Sequence, residues 1–155
     1  MSLKKPARQQ VVDSIADRFK TIRIANGYRT DIGAKVYVWK VAPWDPKDLS
    51  GMIIRDTTCE IKGQVTQHHD WTLQIEVDAV AVGERVSEAA RNAEADILKC
   101  IGLTPRWTVE ALSARMETTS INTEIAVRHE ETLMGVVRFR FEVAFRTALF
   151  SPEVP

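Results

Sequence analysis

Two short clusters combine histidine with carboxylates, the residue types that bind metal ions or transfer protons. They are His68-His69-Asp70 and His129-Glu130-Glu131. Adjacent side chains on a strand point to opposite faces, so neighbouring histidines share one ion only where the chain folds back. Both clusters fall at predicted hairpin tips, and we interpret them as solvated loop residues. The less favoured alternative is a small metal-dependent enzyme that uses His68, His69 and His129, and we expect neither a metal ion nor a cofactor.

The sequence holds no further catalytic constellation. It lacks the nucleophile elbow of hydrolases, the phosphate-binding P-loop, the dinucleotide fingerprint and the paired-histidine zinc helix. Glu76 and Asp78 share one predicted strand face, a spacing that could serve acid–base chemistry. Their neighbours Thr72 and Gln74 are also polar, which favours a solvated face. We therefore expect a protein without catalytic residues, not an enzyme.

Three arginines, Arg138, Arg140 and Arg146, form a row on one face of the last predicted strand. The first interpretation is the exposed face of an antiparallel strand, where an intervening glutamate breaks up the charge. The second is an interface, since arginine forms bidentate pairs with carboxylates such as Glu76 or Asp78 of a neighbouring subunit. Surface charge pairs generally contribute little to stability, so the first interpretation is favoured.

The tryptophans Trp39, Trp44 and Trp107 serve either as core residues or as interface anchors. The predicted loop positions of Trp44 and Trp107 favour partial exposure, and exposed aromatic residues beside a polar rim are typical of binding patches. The candidate residues for contacts with another subunit or a partner are therefore Trp44, Trp107, Glu76, Asp78, Arg138, Arg140 and Arg146.

The composition fits one globular domain that spans residues 1–155, with flexible ends at 1–6 and 150–155. Of the 155 residues, 45% are hydrophobic and 27% are charged. Lysine plus arginine equals aspartate plus glutamate at 21 each, so no net charge attracts nucleic acid or an anionic membrane. No segment resembles a membrane span or a signal peptide, which predicts synthesis in the cytoplasm. Cys59 and Cys100 lie outside any C-x-x-C motif and are expected to stay reduced.

The first predicted element is an amphipathic helix followed by a turn. Apolar residues spaced by three or four positions form one face of this helix: Val12, Ile15, Phe19 and Ile22. Asn26-Gly27 readily adopts positive φ, so we predict that the helix ends there in a left-handed cap. Gly33 predicts a second bend before a short strand, Val36-Tyr37-Val38-Trp39.

Two predicted strands follow, joined at a polar hairpin tip. The first covers residues 52–61, because β-branched residues dominate that segment, and the tip covers 63–70. Over 71–81, apolar odd positions alternate with mainly polar even positions, so one face is predicted to be buried. Val80 and Val82 are apolar on the other face, and we expect this end to gain cover from a helix or another subunit.

A second helix is predicted from an N-cap at Ser87 to a C-cap at Gly102. Its buried stripe comprises Ala90, Ala93, Ile97 and Cys100 or Ile101. Two β patterns follow, of which the first, residues 111–127, changes phase and predicts a bulge or break near 118–120. The second, residues 137–145, carries phenylalanines on its apolar face and should lie at the centre of the core.

Together these elements predict an α+β fold in the order α-β-β-β-α-β-β. Hairpin connections favour a mostly antiparallel sheet, and a mixed sheet is the alternative. Small residues on the second helix allow a close approach to the sheet. We therefore expect the sheet to pack against both helices in a single domain.

The segment Asn26-Gly27-Tyr28-Arg29-Thr30-Asp31-Ile32-Gly33 carries a family resemblance. A first helix, an N-G-Y-x-T-D-x-G turn and a strand, in a chain of this size, resemble the phage tail terminator and minor tail protein family of the lambda type. The resemblance implies a structural protein that forms a ring, commonly a hexamer, at the head-proximal end of a long tail. Such a ring caps the tail tube, ends its polymerisation and gives the head or neck a docking surface.

The resemblance also implies partners and a location. The partners are further copies of the chain, the tail tube protein and a head–tail connector protein, without direct nucleic-acid readout or membrane contact. The protein is expected in the virion tail of a phage or prophage after synthesis in the bacterial host cytoplasm, and a monomer in isolation is compatible with the family. A head–tail connector (neck) protein is the alternative role within the same virion.

Overall fold

The fold is described from a computed structural model at residues 4–45, 47–48, 50–82, 84–109, 112–129 and 133–151. Within those ranges the chain forms two α-helices, two short 3-10 turns and six β-strands. The helices are α1 (Ala7–Phe19) and α2 (Val86–Leu103), and the 3-10 turns are Ile24–Asn26 and Ile32–Ala34. The strands are β1 (Val36–Val38), β2 (Gly51–Val65), β3 (His68–Val82), β4 (Arg106–Val109), β5 (Leu112–His129) and β6 (Leu133–Ala148). Neither helix has the length and hydropathy needed to cross a membrane.

The six strands form one sheet in the order β1-β2-β3-β6-β5-β4. β1 pairs with β2 in parallel, and the other described pairs are antiparallel. The predicted α+β fold, with a mostly antiparallel sheet and two helices, is confirmed. The order of elements gains one strand, β4, which the sequence did not predict because four residues are too few to establish a period of two.

The pairing of β3 with β6 defines the two faces of the sheet. Val77 lies opposite Phe139, and both side chains are buried in the core that α1 and α2 cover, on what we call the helix-bearing face. Asp78 lies opposite Arg138 on the other side, which we call the outer face. The predicted alternation along β3 and the central position of β6 are both confirmed.

Helix α1 is shorter than the sequence predicted. It ends at Phe19, and the chain then turns so that Ile22 is fully buried in the same core. Gly27 adopts the left-handed conformation, with a φ of 83°, but it caps the 3-10 turn Ile24–Asn26 and not the helix. The apolar periodicity continued to Ile22 because a tight turn returns that residue to the core.

The β2–β3 hairpin is also tighter than predicted. β2 extends to Val65 and β3 begins at His68, so only Thr66 and Gln67 form the turn. His68 and His69 therefore lie on a strand and not in a loop.

The buried stripe of α2 is confirmed, whereas its predicted caps are wrong. Ser87 and Gly102 both lie inside the helix, which runs Val86–Leu103. The predicted irregularity in β5 is confirmed as well, because its register against β6 shifts between Glu117 and Asn122.

A buried carboxylate fastens the turn after α1 to helix α2. Asp96 accepts hydrogen bonds from the backbone N–H groups of Arg29 at 3.0 Å and Thr30 at 2.8 Å, and from the Thr30 hydroxyl at 2.7 Å. On the other side of the turn, the Asp31 carboxylate accepts a bond from the Ile24 N–H at 2.9 Å. The N-G-Y-x-T-D-x-G residues thus have a structural role, which depends on a carboxylate distant in the sequence.

Removing the Asp96 carboxylate should destabilise the fold. We expect Asp96→Ala to lower the free energy of unfolding by about 2 kcal/mol, because it leaves the partly buried N–H groups of Arg29 and Thr30 without their acceptor. Glu88→Ala, on the exposed side of the same helix, is the matched control and should cost less than about 0.5 kcal/mol. Urea unfolding followed by circular dichroism measures both changes, and equal small losses would contradict the anchoring role of Asp96.

Gly33 is required by a close approach of two backbone segments. A Cβ atom at this position would lie 2.7 Å from the Ile22 carbonyl oxygen and would overlap the Phe19 carbonyl oxygen. We expect Gly33→Ala to lower the free energy of unfolding by about 2 kcal/mol through this overlap. Gly102→Ala meets open space inside α2 and should raise it by about 0.5 kcal/mol through helix propensity. Thermal or urea unfolding distinguishes the opposite signs.

Candidate subunit-contact surface

The outer face carries a network of ion pairs between β2, β3 and β6. We call it the outer-face ion network, and its members are Arg55, Glu76, Asp78, Arg138 and Arg140. Asp78 accepts hydrogen bonds from Arg138 Nε at 2.7 Å and Nη2 at 2.9 Å, and from Arg55 Nη1 at 2.8 Å. Glu76 accepts a bond from Arg140 Nε at 3.1 Å. These pairs all join neighbouring strands of one chain.

Asp78 is buried, whereas the sequence predicted a solvated carboxylate. Only 6% of its surface is exposed. Burial by itself would raise the pKa of Asp78, but the hydrogen bonds from Arg138 and Arg55 outweigh it and hold the pKa below its usual value. The prediction failed because the compensating charges come from both neighbouring strands, and local sequence does not reveal which strands are neighbours.

Arg146 forms a second ion pair on the outer face. Its Nε donates to the Asp70 carboxylate at 2.6 Å and its Nη2 at 3.3 Å. Arg140 and Arg146 are exposed, as the first interpretation of the arginine row predicted. The interface interpretation paired the arginines with Glu76 or Asp78 of a neighbouring subunit. Both carboxylates form ion pairs within the chain, so an intersubunit role for the arginines stays a prediction.

Trp44 is buried, whereas its loop position predicted partial exposure. It is 9% exposed and packs with Ile53, Val80 and Met134 in a small apolar cluster on the outer face. The indole N–H donates to the Asp48 carbonyl at 3.1 Å. The loop that carries Trp44 therefore supplies the cover over Val80 that the sequence assigned to a helix or another subunit.

Trp107 fastens β4 to helix α1. Its indole N–H donates to Ser14 Oγ at 3.0 Å, and the Arg18 guanidinium lies 4.8 Å from the ring centroid. The side chain is half-buried, so the predicted partial exposure is confirmed. A contact of Trp107 with another subunit stays a prediction.

The first histidine cluster is part of the folded sheet. His69 is buried, and its ring centroid lies 6.1 Å from that of Trp71 and 5.1 Å from that of Phe150. The interpretation as solvated loop residues is therefore wrong for His69. An aromatic environment of this kind fits a packing role.

The second histidine cluster lies elsewhere. His129 ends β5 opposite Leu133, whereas His68 begins β3 opposite Ala148, so the two histidines occupy opposite ends of the long strands. Glu130 and Glu131 lie outside the described residues. Within the described ranges, no three metal-binding side chains cluster together.

A groove of about 610 Å³ opens at the Asp70 end of the sheet. Its lining is rich in cations, including Lys62, Arg106 and Arg146. Two of these are already paired, because Lys62 binds Glu60 at 2.7 Å and Arg146 binds Asp70. The groove is therefore less cationic than its composition suggests.

The sheet has two free edges on opposite sides. β1 covers β2 only at Met52–Ile54, and side chains of Arg8 and Trp39 bind Asp56. From residue 57 to 65, none of the described strands pairs with the outward side of β2. β4 pairs with β5 at residues 112–115. Over residues 121–129, none of the described strands pairs with the outward side of β5.

These free edges could not be predicted from the sequence. A strand pattern shows which residues face the core, but a central strand and an edge strand can share the same alternation. The strand order decides that β5 ends the sheet beyond the short cover of β4. The edges present backbone groups that can pair with another strand.

Comparison with known proteins extends to the fold alone. No family model and no curated protein matches the chain. Among the solved structures that match is one whose name is a bare sequence identifier that states no function, with a TM-score of 0.51. The match covers 93% of this chain and 98% of that chain, at 14% sequence identity. The similarity therefore supports the architecture and carries no statement about activity.

The buried Asp78 should make stability depend on pH in the acidic range. Its folded-state pKa lies below the unfolded value of about 3.9, so its ionised form stabilises the fold above that pH. This stabilisation is lost as the pH falls through the folded-state pKa. We expect the free energy of unfolding to decline below about pH 4 and to decline less steeply in Asp78→Asn.

The pH dependence is measured by urea unfolding at a series of acidic pH values. Asp17→Asn is the matched control, because Asp17 is exposed on α1 and pairs with the exposed Lys20. It should retain the slope of the wild-type chain. An unchanged slope in Asp78→Asn would contradict the stabilising role of the buried ion pairs.

Proposed function

We propose that the chain is a structural protein of a phage or prophage tail, which forms a ring that caps the tail tube and ends its polymerisation. The observation that carries the proposal is the pair of free strand edges on opposite sides of one sheet. A ring requires two different patches on each copy, since a heterologous contact between them repeats until the rotation closes. The N-G-Y-x-T-D-x-G turn adds the family resemblance and has a defined structural role in this fold.

A terminator ring needs two ends with different properties. One end must match the tail tube, whereas the other must be unable to template another tube layer and must offer the head or neck a docking surface. The β2–β3 turn and the region around His129 lie at opposite ends of the long strands. They are the proposed contact points for the tail tube protein and the head–tail connector protein, and the location that goes with this proposal is the virion tail.

A head–tail connector (neck) protein is the second candidate function, because it needs the same two-patch contact for its ring. A small metal-dependent enzyme is disfavoured. His69 is buried against aromatic rings, and His68 and His129 lie at opposite ends of the strands. The arrangement gives these histidines no shared site.

Electron microscopy of tails assembled without this protein separates the two structural roles. Loss of a terminator should give overlong tubes, whereas loss of a connector should give tails of normal length without heads. Adding the purified wild-type chain back during assembly should restore the normal length. Normal tails with heads in its absence would contradict both roles.

Substituting His68 and His129 tests the enzyme alternative. We expect the double variant His68→Gln, His129→Gln to fold and to support normal tail length, since the proposed assembly requires no imidazole chemistry at either position. Tail length in electron micrographs and the urea midpoint provide the two readouts. Loss of function with an unchanged midpoint would favour a histidine-dependent activity.

A further inference from the structure

We propose that the free stretch of β5 in one copy pairs with the free stretch of β2 in the next copy, antiparallel and with Ile61 opposite Ile125. The inference rests on the proposed ring and names the contact that builds it. The occupant of each free edge is a second copy of this chain, and the sheet continues from copy to copy.

The strand directions permit this pairing. β2, β3, β6 and β5 are joined by three antiparallel steps, so β2 and β5 run in opposite directions. Rotation about a ring axis keeps the direction of each strand along that axis. The β2 strand of the next copy therefore lies antiparallel to β5, which gives well-aligned backbone hydrogen bonds.

The two free stretches match in length. β2 is free over residues 57–65 and β5 over 121–129, nine residues each. In the proposed register, residues 59–62 lie opposite 127–124 with matching faces, and the β2 irregularities at Asp56/Cys59 and Ile61/Gly63 bound this stretch. The hairpin then turns back at Thr66-Gln67, before it reaches the part of β5 that β4 covers.

Exposed apolar side chains lie on matching faces of the two edges. Ile61 pairs with Trp71 on the helix-bearing face and is 48% exposed. Ile125 and Val127 lie on the same face and are 40% and 44% exposed. In the proposed register Ile61 meets Ile125 and Cys59 meets Val127, so the contact removes these apolar surfaces from water.

The outer faces of the two edges are complementary in charge. Glu124 lies on the outer face opposite Arg138 of its own chain. Lys62 reaches the same face, because it binds Glu60, which lies opposite Thr72. The register places Lys62 opposite Glu124 of the neighbouring copy, and opposite charges across an antiparallel pair are stabilising. Two β5 edges paired about Glu124 would instead bring like charges together.

The register also sets how the strands are inclined in the ring. Within one copy, Ile61 of β2 and Ala114 of β5 lie at the same height along the strands, because both align with Phe145 of β6. Ile125 of β5 aligns with Val137, eight residues from Phe145 along β6. Pairing Ile61 of the next copy with Ile125 therefore shifts the sheet by roughly 26 Å along the strands for each copy. Across the strands, each copy advances the sheet by four strand spacings, about 19 Å. A closed ring therefore needs strands inclined by about 55° to its axis, somewhat more than in ordinary barrels.

Charge reversal tests the pairing in the full chain. Lys62→Glu and Glu124→Lys should each raise the dissociation constant of self-association about tenfold. The double variant should restore association, and so should an equimolar mixture of the two single variants, because every contact then joins opposite charges. Analytical ultracentrifugation over a concentration series measures the constants. Glu88→Lys on α2 is the matched control and should leave them unchanged.

A disulfide trap detects the contact even where association is weak. Glu60→Cys with Ala126→Cys places two thiols opposite each other on the outer face, in a Cys59→Ser chain, and mild oxidation should give covalent multimers. Glu60→Cys with Asn122→Cys is the control, because its thiols are about 13 Å out of register, beyond the reach of a disulfide.

The outcomes separate this contact from the proposed function. A chain that stays monomeric and forms no Glu60–Ala126 cross-link overturns the pairing, as does a cross-link formed by Ala126→Cys alone, which indicates β5–β5 contact. Rings that persist in both single charge variants overturn the pairing and leave the ring intact. Rescue by the double variant in a protein that does not change tail length supports the pairing and overturns the terminator role.

Discussion

The antiparallel register of β3 against β6 is the constraint on which the rest of the fold depends. It sends Val77 and Phe139 into the core and places Asp78 beside Arg138 on the outer face. Because side chains alternate between the faces of a sheet, a slip by one residue would exchange the two sets and bury the arginines without partners. The apolar core and the outer-face ion network follow from this one register.

A second constraint fixes helix α1 relative to helix α2. Asp96 on α2 binds the backbone of the turn that follows α1, and Gly33 lets that turn pass close to the end of the helix. The two contacts hold α1 and α2 at fixed positions over the curled sheet. The segment that carries the family resemblance is therefore the part of the chain that positions the two helices.

Assembly is better supported by the sheet edges than by the arginine row. The ion pairs of the outer face are satisfied within the chain, so a partner gains little by approaching them. The backbone groups along the edges have no strand partner in the described ranges. β2 carries features that discourage indiscriminate pairing, namely two register irregularities and the charged residues Glu60 and Lys62. A strand that pairs there must supply a complementary charge, as Glu124 does in the proposed contact.

Local periodicity in the sequence was enough to determine β3, β6, the buried stripe of α2, the irregularity in β5 and the α+β class. Each of these depends on side chains a few residues apart, so the pattern is complete within the segment. The burial of Asp78 and Trp44, the role of Asp96 and the free edges were decided by the tertiary structure. The physical reason is that each depends on groups distant in the chain, and only strand order and helix placement bring those groups together.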